Sequence, residues 1–211
     1  YYIIQVSGLI NDNNICRRTK IEIGSKYAMN IHGNVKFFDE IDTTKISVNG
    51  LVVFIENVSA EQIMVNGSCN AQAKINCGSI TVNGTLKTGE QGVECEDMEV
   101  NGLLNSEGAL VSKEVSILGT AYAKSIIAQK VSLVGKEKLF NKLFSKPIER
   151  SRFEVIKAEN IDVDDVTVDM MIGENIMLGA NCEIGVFECS GKAYVKKGTV
   201  IRNAKGNIEY I

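Results

Sequence analysis

Hydrophobic and polar positions alternate along most of this chain, and the alternation restarts at a nearly fixed interval. Between Ile46 and Gly135 one short phrase returns: Ile46-Ser47-Val48-Asn49-Gly50, Ile63-Met64-Val65-Asn66-Gly67, Ile80-Thr81-Val82-Asn83-Gly84, Met98-Glu99-Val100-Asn101-Gly102, Val115-Ser116-Ile117-Leu118-Gly119 and Val131-Ser132-Leu133-Val134-Gly135. The steps between successive glycines are 17, 17, 18, 17 and 16. Apolar residues stand four and two places before each glycine, the period of two that marks a half-buried strand. Others follow two places after it (Val52, Cys69, Leu86, Leu104, Ala121) and about eight places after it (Val58, Ile75, Val93, Leu110, Ile127). Each unit therefore predicts three short strands separated by turns. Units of this length bury their apolar faces only against their neighbours. Stacked, they make an all-β fold, a single-stranded parallel β-helix of about 17-residue coils in which like residues lie above like residues.

The template extends upstream. Gly33 precedes Gly50 by the same step of 17, with Met29 and Ile31 ahead of it and Val35, Phe37 and Ile41 behind. Gly8 fits as well, with Ile4, Val6 and Ile10 in the apolar slots, but a step of 25 separates it from Gly33. The surplus predicts a loop around Asn11 to Lys20. The column before the glycine holds Asn49, Asn66, Asn83 and Asn101, then Leu118 and Val134. Asn-Gly pairs suit turn positions with positive φ, and stacked amides can satisfy one another as a ladder.

Residues 1–135 are thus read as β-helix repeats. Residues 136–152 break the pattern, with Lys136, Lys138, Lys142, Lys146, Arg150 and Arg152 against only Glu137 and Glu149. Leu139, Phe140, Leu143 and Phe144 fall on one helical face, and Pro147 ends it. This predicts one short basic amphipathic helical insert. Its apolar face either packs on the solenoid or, with Lys138 and Lys142, meets an anionic membrane or a partner groove. Residues 153–211 return to strand alternation as C-terminal coils or a cap. From Phe153 to Ser190 nine acids face Lys157 alone, predicting strands with outward carboxylates that complement the basic insert.

Composition narrows the reading. The 211 residues include 19 glycines, one proline, no tryptophan and 6% aromatics, which suits a narrow interior of Val, Ile, Leu and Ala. The formal net charge of −3 gives no general attraction to nucleic acid, so no nucleic-acid partner is expected. The six cysteines include no C-x-x-C spacing and are expected as buried free thiols in a reducing cytosol. No secretory signal or long apolar run is visible. The chain opens at Tyr1 rather than methionine, which leaves room for a native segment before it.

Catalytic chemistry finds little to hold. Ile172-Gly173, Leu178-Gly179 and Ile184-Gly185 recur at intervals of six, the spacing of left-handed β-helical acyltransferases. The single histidine, His32, occupies the slot that later coils give to asparagine, with no orienting carboxylate in view. No G-x-x-x-x-G-K-[ST] loop is present. No catalytic, cofactor-binding or metal-binding residue is assigned, and no cofactor is expected. A β-helical acyltransferase or carbohydrate-active enzyme, or a surface adhesion module, are the alternatives.

The stacked coils from about Ile4 to Gly135, with their repeated glycine phrases, resemble the bactofilins, polymer-forming cytoskeletal proteins of bacteria. The stretch from Ile156 to Gly191, after a basic hydrophobic insert, resembles the C-terminal part of bactofilin-related proteins of Gram-positive bacteria. The chain departs from their usual serine-glycine rungs by using Val-Asn-Gly, and it lacks Pro-rich tails. The resemblance implies a right-handed, three-sided β-helix that assembles end to end without nucleotide, sometimes beside a membrane. The function expected is a cytoplasmic, non-enzymatic scaffold whose main partner is itself, with a membrane surface or membrane protein as a further partner. The candidate assembly residues are Tyr1, Ile3 and Ile4 at one end, and Tyr194, Val200, Ile201, Tyr210 and Ile211 at the other.

Overall fold

The computed structural model describes residues 2–8, 27–135 and 150–211. They form one parallel sheet wound into a solenoid, with strands β1 (Tyr2–Gly8), β2 (Tyr27–Phe37), β3 (Ile41–Phe54), β4 (Val58–Ala71), β5 (Ile75–Thr88), β6 (Val93–Val111), β7 (Glu114–Val134), β8 (Ser151–Val163), β9 (Val166–Leu178), β10 (Glu183–Val195), β11 (Val200–Lys205) and β12 (Ile208–Tyr210). Each strand pairs in parallel with the next along the path β1 to β11, while β12 pairs with β10. At about 4.8 Å per step the stack is roughly 48 Å long. No helix occurs among the described residues. The predicted helical insert, with Leu139, Phe140, Leu143, Phe144, Lys138 and Lys142, lies outside them.

One coil shows how the sequence builds the fold. In β3 the buried residues are Ile41 and Thr43, then Ile46 and Val48, then Val52 and Phe54. Three sides therefore send two side chains each into the core, and the corners between them are Thr44-Lys45, Asn49-Gly50-Leu51 and Ile55-Glu56-Asn57. Sheet pairing continues through the first two corners, so a coil is one bent strand rather than three strands separated by turns. Strands buried on one face suit β-branched residues, and Val and Ile predominate in the inward slots from Met29 to Leu133. The step of 18 arises where one corner gains a residue: Gly89-Glu90-Gln91-Gly92 carries a Gly92 N–H to Gly89 carbonyl bond of 3.1 Å. The step of 16 arises where the register shifts between Ser106 and Ala109. That shift puts Ile126 inward and leaves Ile127 45% exposed, correcting the inward slot expected for Ile127.

The registers on either side of the two predicted surpluses are constant. Tyr2 to Gly8 pairs in constant register with Tyr27 to Gly33, so Gly8 and Gly33 are register partners despite their spacing of 25. Likewise Tyr122↔Arg152 and Leu133↔Val163 keep one offset across residues 136–149. Ser151 and Arg152 already belong to β8, which moves Arg152 out of the basic segment predicted from sequence.

The C-terminal coils are tighter. Buried positions in β8 are Ser151, Phe153, Ile156, Ala158, Ile161 and Val163, so every corner there has two residues. Val166, the register partner of Ser151, and Val168, the partner of Phe153, begin the next coil. The stacked pair Asn160 and Asn175 is accordingly 15 apart in sequence, whereas Asn49 and Asn66 are 17 apart. The recurrence at intervals of six has no counterpart in register: Leu178 and Ile184 are inward, whereas Ile172 is half-buried and pairs with Glu188.

Candidate assembly surfaces

The corner that carries the repeated glycine runs along much of the molecule. Gly50, Gly67, Gly84, Gly102 and Gly119 have φ between 136° and 148°. They are also stacked: a Cβ on Gly84 would lie 2.0 Å from the Gly67 carbonyl oxygen, and one on Gly119 would lie 1.9 Å from that of Gly102. The asparagines before them form the expected ladder, with Asn66 Nδ2 donating to Asn49 Oδ1 (3.0 Å), Asn83 to Asn66 (2.9 Å) and Asn101 to Asn83 (3.0 Å). Positive φ belongs to the glycines alone in these corners, not to the asparagines. His32 pairs in register with Ser7 and Asn49 and continues this column as an exposed residue.

Further along the same corner the chemistry changes. Leu118 is 38% exposed where the asparagines stop. The next corner gives rise to residues 136–149, and the one after it is Asp164-Asp165. The acidic segment is not uniformly outward there: Asp164 is only 7% exposed. Its Oδ1 accepts the Ala180 N–H at 3.1 Å, and a Cβ on Gly179 would strike it at 1.5 Å. A two-residue corner with Asp165 at φ 53° turns the preceding carboxylate under the next coil. The other acids of the segment stay exposed or half-buried, and Arg150 reaches Glu183 at 3.4 Å.

The final coil, β11 and β12, presents a sheet edge. Both strands pair with β10, and no strand lies beyond them among the described residues. Their register continues the core columns: Ile201 follows Ile184, Ala204 follows Phe187, Ile208 follows Ala193 and Tyr210 follows Val195. In earlier coils such residues are covered from both sides. Here Ile201 and Ile208 pack on the core from one side only, while Tyr210 and Ile211 are 64% and 50% exposed. The sequence-predicted set divides accordingly. Ile201 and Tyr210 lie in inward columns, but Tyr194 and Val200 pair with Met177 and Glu183 in outward ones. Ile208 and Ala204 belong to the edge although sequence reasoning missed them; the two-residue spacing of Ile208 and Tyr210 is the signal that marks an inward pair. At the other edge Ile3 and Ile4 pair with Ala28 and Met29, which puts Ile4 in register with an inward residue. Tyr1 lies outside the described residues. The final coil exposes Lys196, Lys197, Arg202 and Lys205 against Glu209, opposite in sign to the coils beneath it.

Two shallow grooves cross the sides. A polar one of about 470 Å³ follows Asn70, Lys87 and Asn105 beside the four-residue corner. The second, of about 440 Å³, lies over the small side chains of Ala128, Ala158, Gly173 and Cys189, with Ile127 at its rim. Among the described residues no group of three or more His, Cys, Asp or Glu side chains could hold a metal ion. No helix among them is long and apolar enough to cross a membrane.

No family model, curated protein or solved structure matches this chain.

Proposed function

We propose that this protein is a non-enzymatic scaffold that self-associates end to end by stacking its terminal coils. The observation that carries the proposal is the β11–β12 edge, whose core columns continue to the last coil and which no described residue covers on its outer side. An unpaired parallel edge is a template for another strand. Covering Ile201, Ile208 and Tyr210 would remove apolar surface from water at about 25 cal/mol per Å². The resemblance of the glycine phrases to the bactofilins supports the same reading and adds a bacterial, cytoplasmic setting, with a membrane surface as a further partner. The side grooves are shallow and bring no converging catalytic set together, which favours the scaffold over a β-helical enzyme.

Negative-stain electron microscopy across a concentration series tests this. Rods or filaments that lengthen with concentration are expected, and an Ile201→Asp, Tyr210→Asp variant should give short single particles. Single particles of the unaltered chain at every concentration would overturn the proposal.

A further inference from the structure

Two thiols are register neighbours in the core. Cys77 on β5 and Cys95 on β6 are register partners, and both side chains point inward, 7% and 9% exposed. They continue one inward column that runs Thr43, Ala60, Cys77, Cys95. The two thiols are close enough to influence each other's ionisation, and Cys95 Sγ donates to Ser112 Oγ in the next coil at 3.6 Å. Among the described residues, Cys69 pairs instead with Val52 and Leu86, and Cys189 with Gly173.

We propose that Cys77 and Cys95 form a reversible disulfide that staples two neighbouring coils. Adjacent strands lie about 4.8 Å apart, inside the roughly 4.4–6.8 Å Cα separation that a disulfide accepts. The bond would close the segment containing the four-residue corner Gly89–Gly92.

The roles of the two sulfurs differ. Proximity to the Cys77 thiol holds the Cys95 thiol below its ordinary pKa, and the same proximity pushes Cys77 up. Cys95, which also has the Ser112 hydroxyl 3.6 Å from its sulfur, is assigned the attacking role and Cys77 the resolving one. The oxidant is a small peroxide, which a nearly buried pair can admit. The Cys95 thiolate attacks one peroxide oxygen and the O–O bond breaks, giving a sulfenic acid and hydroxide. Cys77 sulfur then attacks the Cys95 sulfur, the S–O bond breaks, and its thiol proton leaves with the hydroxyl as water. Two thiols and one hydrogen peroxide become one disulfide and two waters.

The test is hydrogen peroxide titration of the reduced, folded full chain, followed by intact mass and peptide mapping. The expected result is a loss of about 2 Da, a Cys77 to Cys95 linked peptide, full reversal by dithiothreitol and a raised thermal midpoint. A Cys77→Ser variant should instead accumulate oxygen adducts on Cys95. Oxygen adducts on Cys95 of the unaltered chain without a link, linkage through other cysteines, or no reaction until the chain unfolds would each overturn the proposal. The peptide map of the unaltered chain decides even if the variant folds poorly. It is also independent of end-to-end assembly, because the staple lies within one chain.

Discussion

The coils from Ile41 to Val111 and those from Ser151 to Val195 solve the same problem differently at one corner. The first group turns on three residues with glycine in the middle, at φ near 140°, a conformation in which an L side chain is strained and in which its Cβ would meet a carbonyl of the coil below. The second group turns the same corner with Asp165 at φ 53° and Asn181 at φ 58°, in the left-handed region where Asp and Asn are tolerated. At Asp164-Asp165 the third corner residue is dropped, which shortens that coil and draws Asp164 inward to bond the Ala180 N–H, whereas Gly179-Ala180-Asn181 keeps three residues. The number of corner residues thus sets coil length, and the corner conformation sets which residue types it accepts.

The contrast between the two corners breaks most severely at Gly84. Replacing Gly84 with Ala should destabilise the fold by about 3 kcal/mol or more, through strained φ and a backbone clash. Asn181→Gly loses the 2.9 Å bond from Nδ2 to Asp165 Oδ1 but adds no strain, because φ 58° suits both residues, and should cost about 1 kcal/mol. Chemical denaturation of the two variants checks this, and similar losses would refute the distinction between the corners. Next in size is the ladder. Asn83→Ala removes bonds to both Asn66 and Asn101 and should cost about 1–2 kcal/mol. Asn160→Ala removes the single 3.1 Å bond from Asn175 and should cost about half as much.

Each region also buries a thiol. Burial pushes Cys69 from 9.0 up to about 12 and Cys182 up to about 11. A raised folded pKa contributes stability that is complete below the unfolded value and lost as pH rises through the folded one. Stability should therefore fall between pH 9 and 12, and Cys69→Ala should flatten the upper part of that fall, read from denaturation midpoints against pH. The smallest effect is expected from deleting residues 136–149. The joined corner would read Val134-Gly135-Arg150, three residues with glycine in the middle, so the thermal midpoint should stay within a few degrees of the full chain's.

Much of this architecture is legible in the sequence. The φ-x-φ-x-Asn-Gly phrase fixes side-chain direction and coil length together, so Ile46, Val48 and Val52 can be placed inward and the Asn49 to Asn101 ladder foreseen. Gly8 can be matched to Gly33 despite their long spacing because the alternation is the same on both sides. The inward slot of Ile127 goes wrong because Ile126-Ile127 offers two adjacent apolar residues, and only the register shift after Ser106 chooses between them. Asp164 looks like any exposed acid because its burial depends on the backbone at Ala180, in the next coil. At the C-terminal end Tyr194 and Val200 stand out in sequence for being apolar, whereas register partners decide which side faces the core. Ile208, two places before Tyr210, carries that signal.

The central claim is that the uncovered edge of the last coil is the contact surface. Hydrogen exchange at low and high protein concentration tests it most directly. Amides of Val200–Lys205 and Ile208–Tyr210 should become protected as concentration rises, while the exposed corners at Asn49 to Asn101 do not change. Unchanged exchange in β11 and β12 despite assembly, or protection confined to the sides of the solenoid, would contradict it.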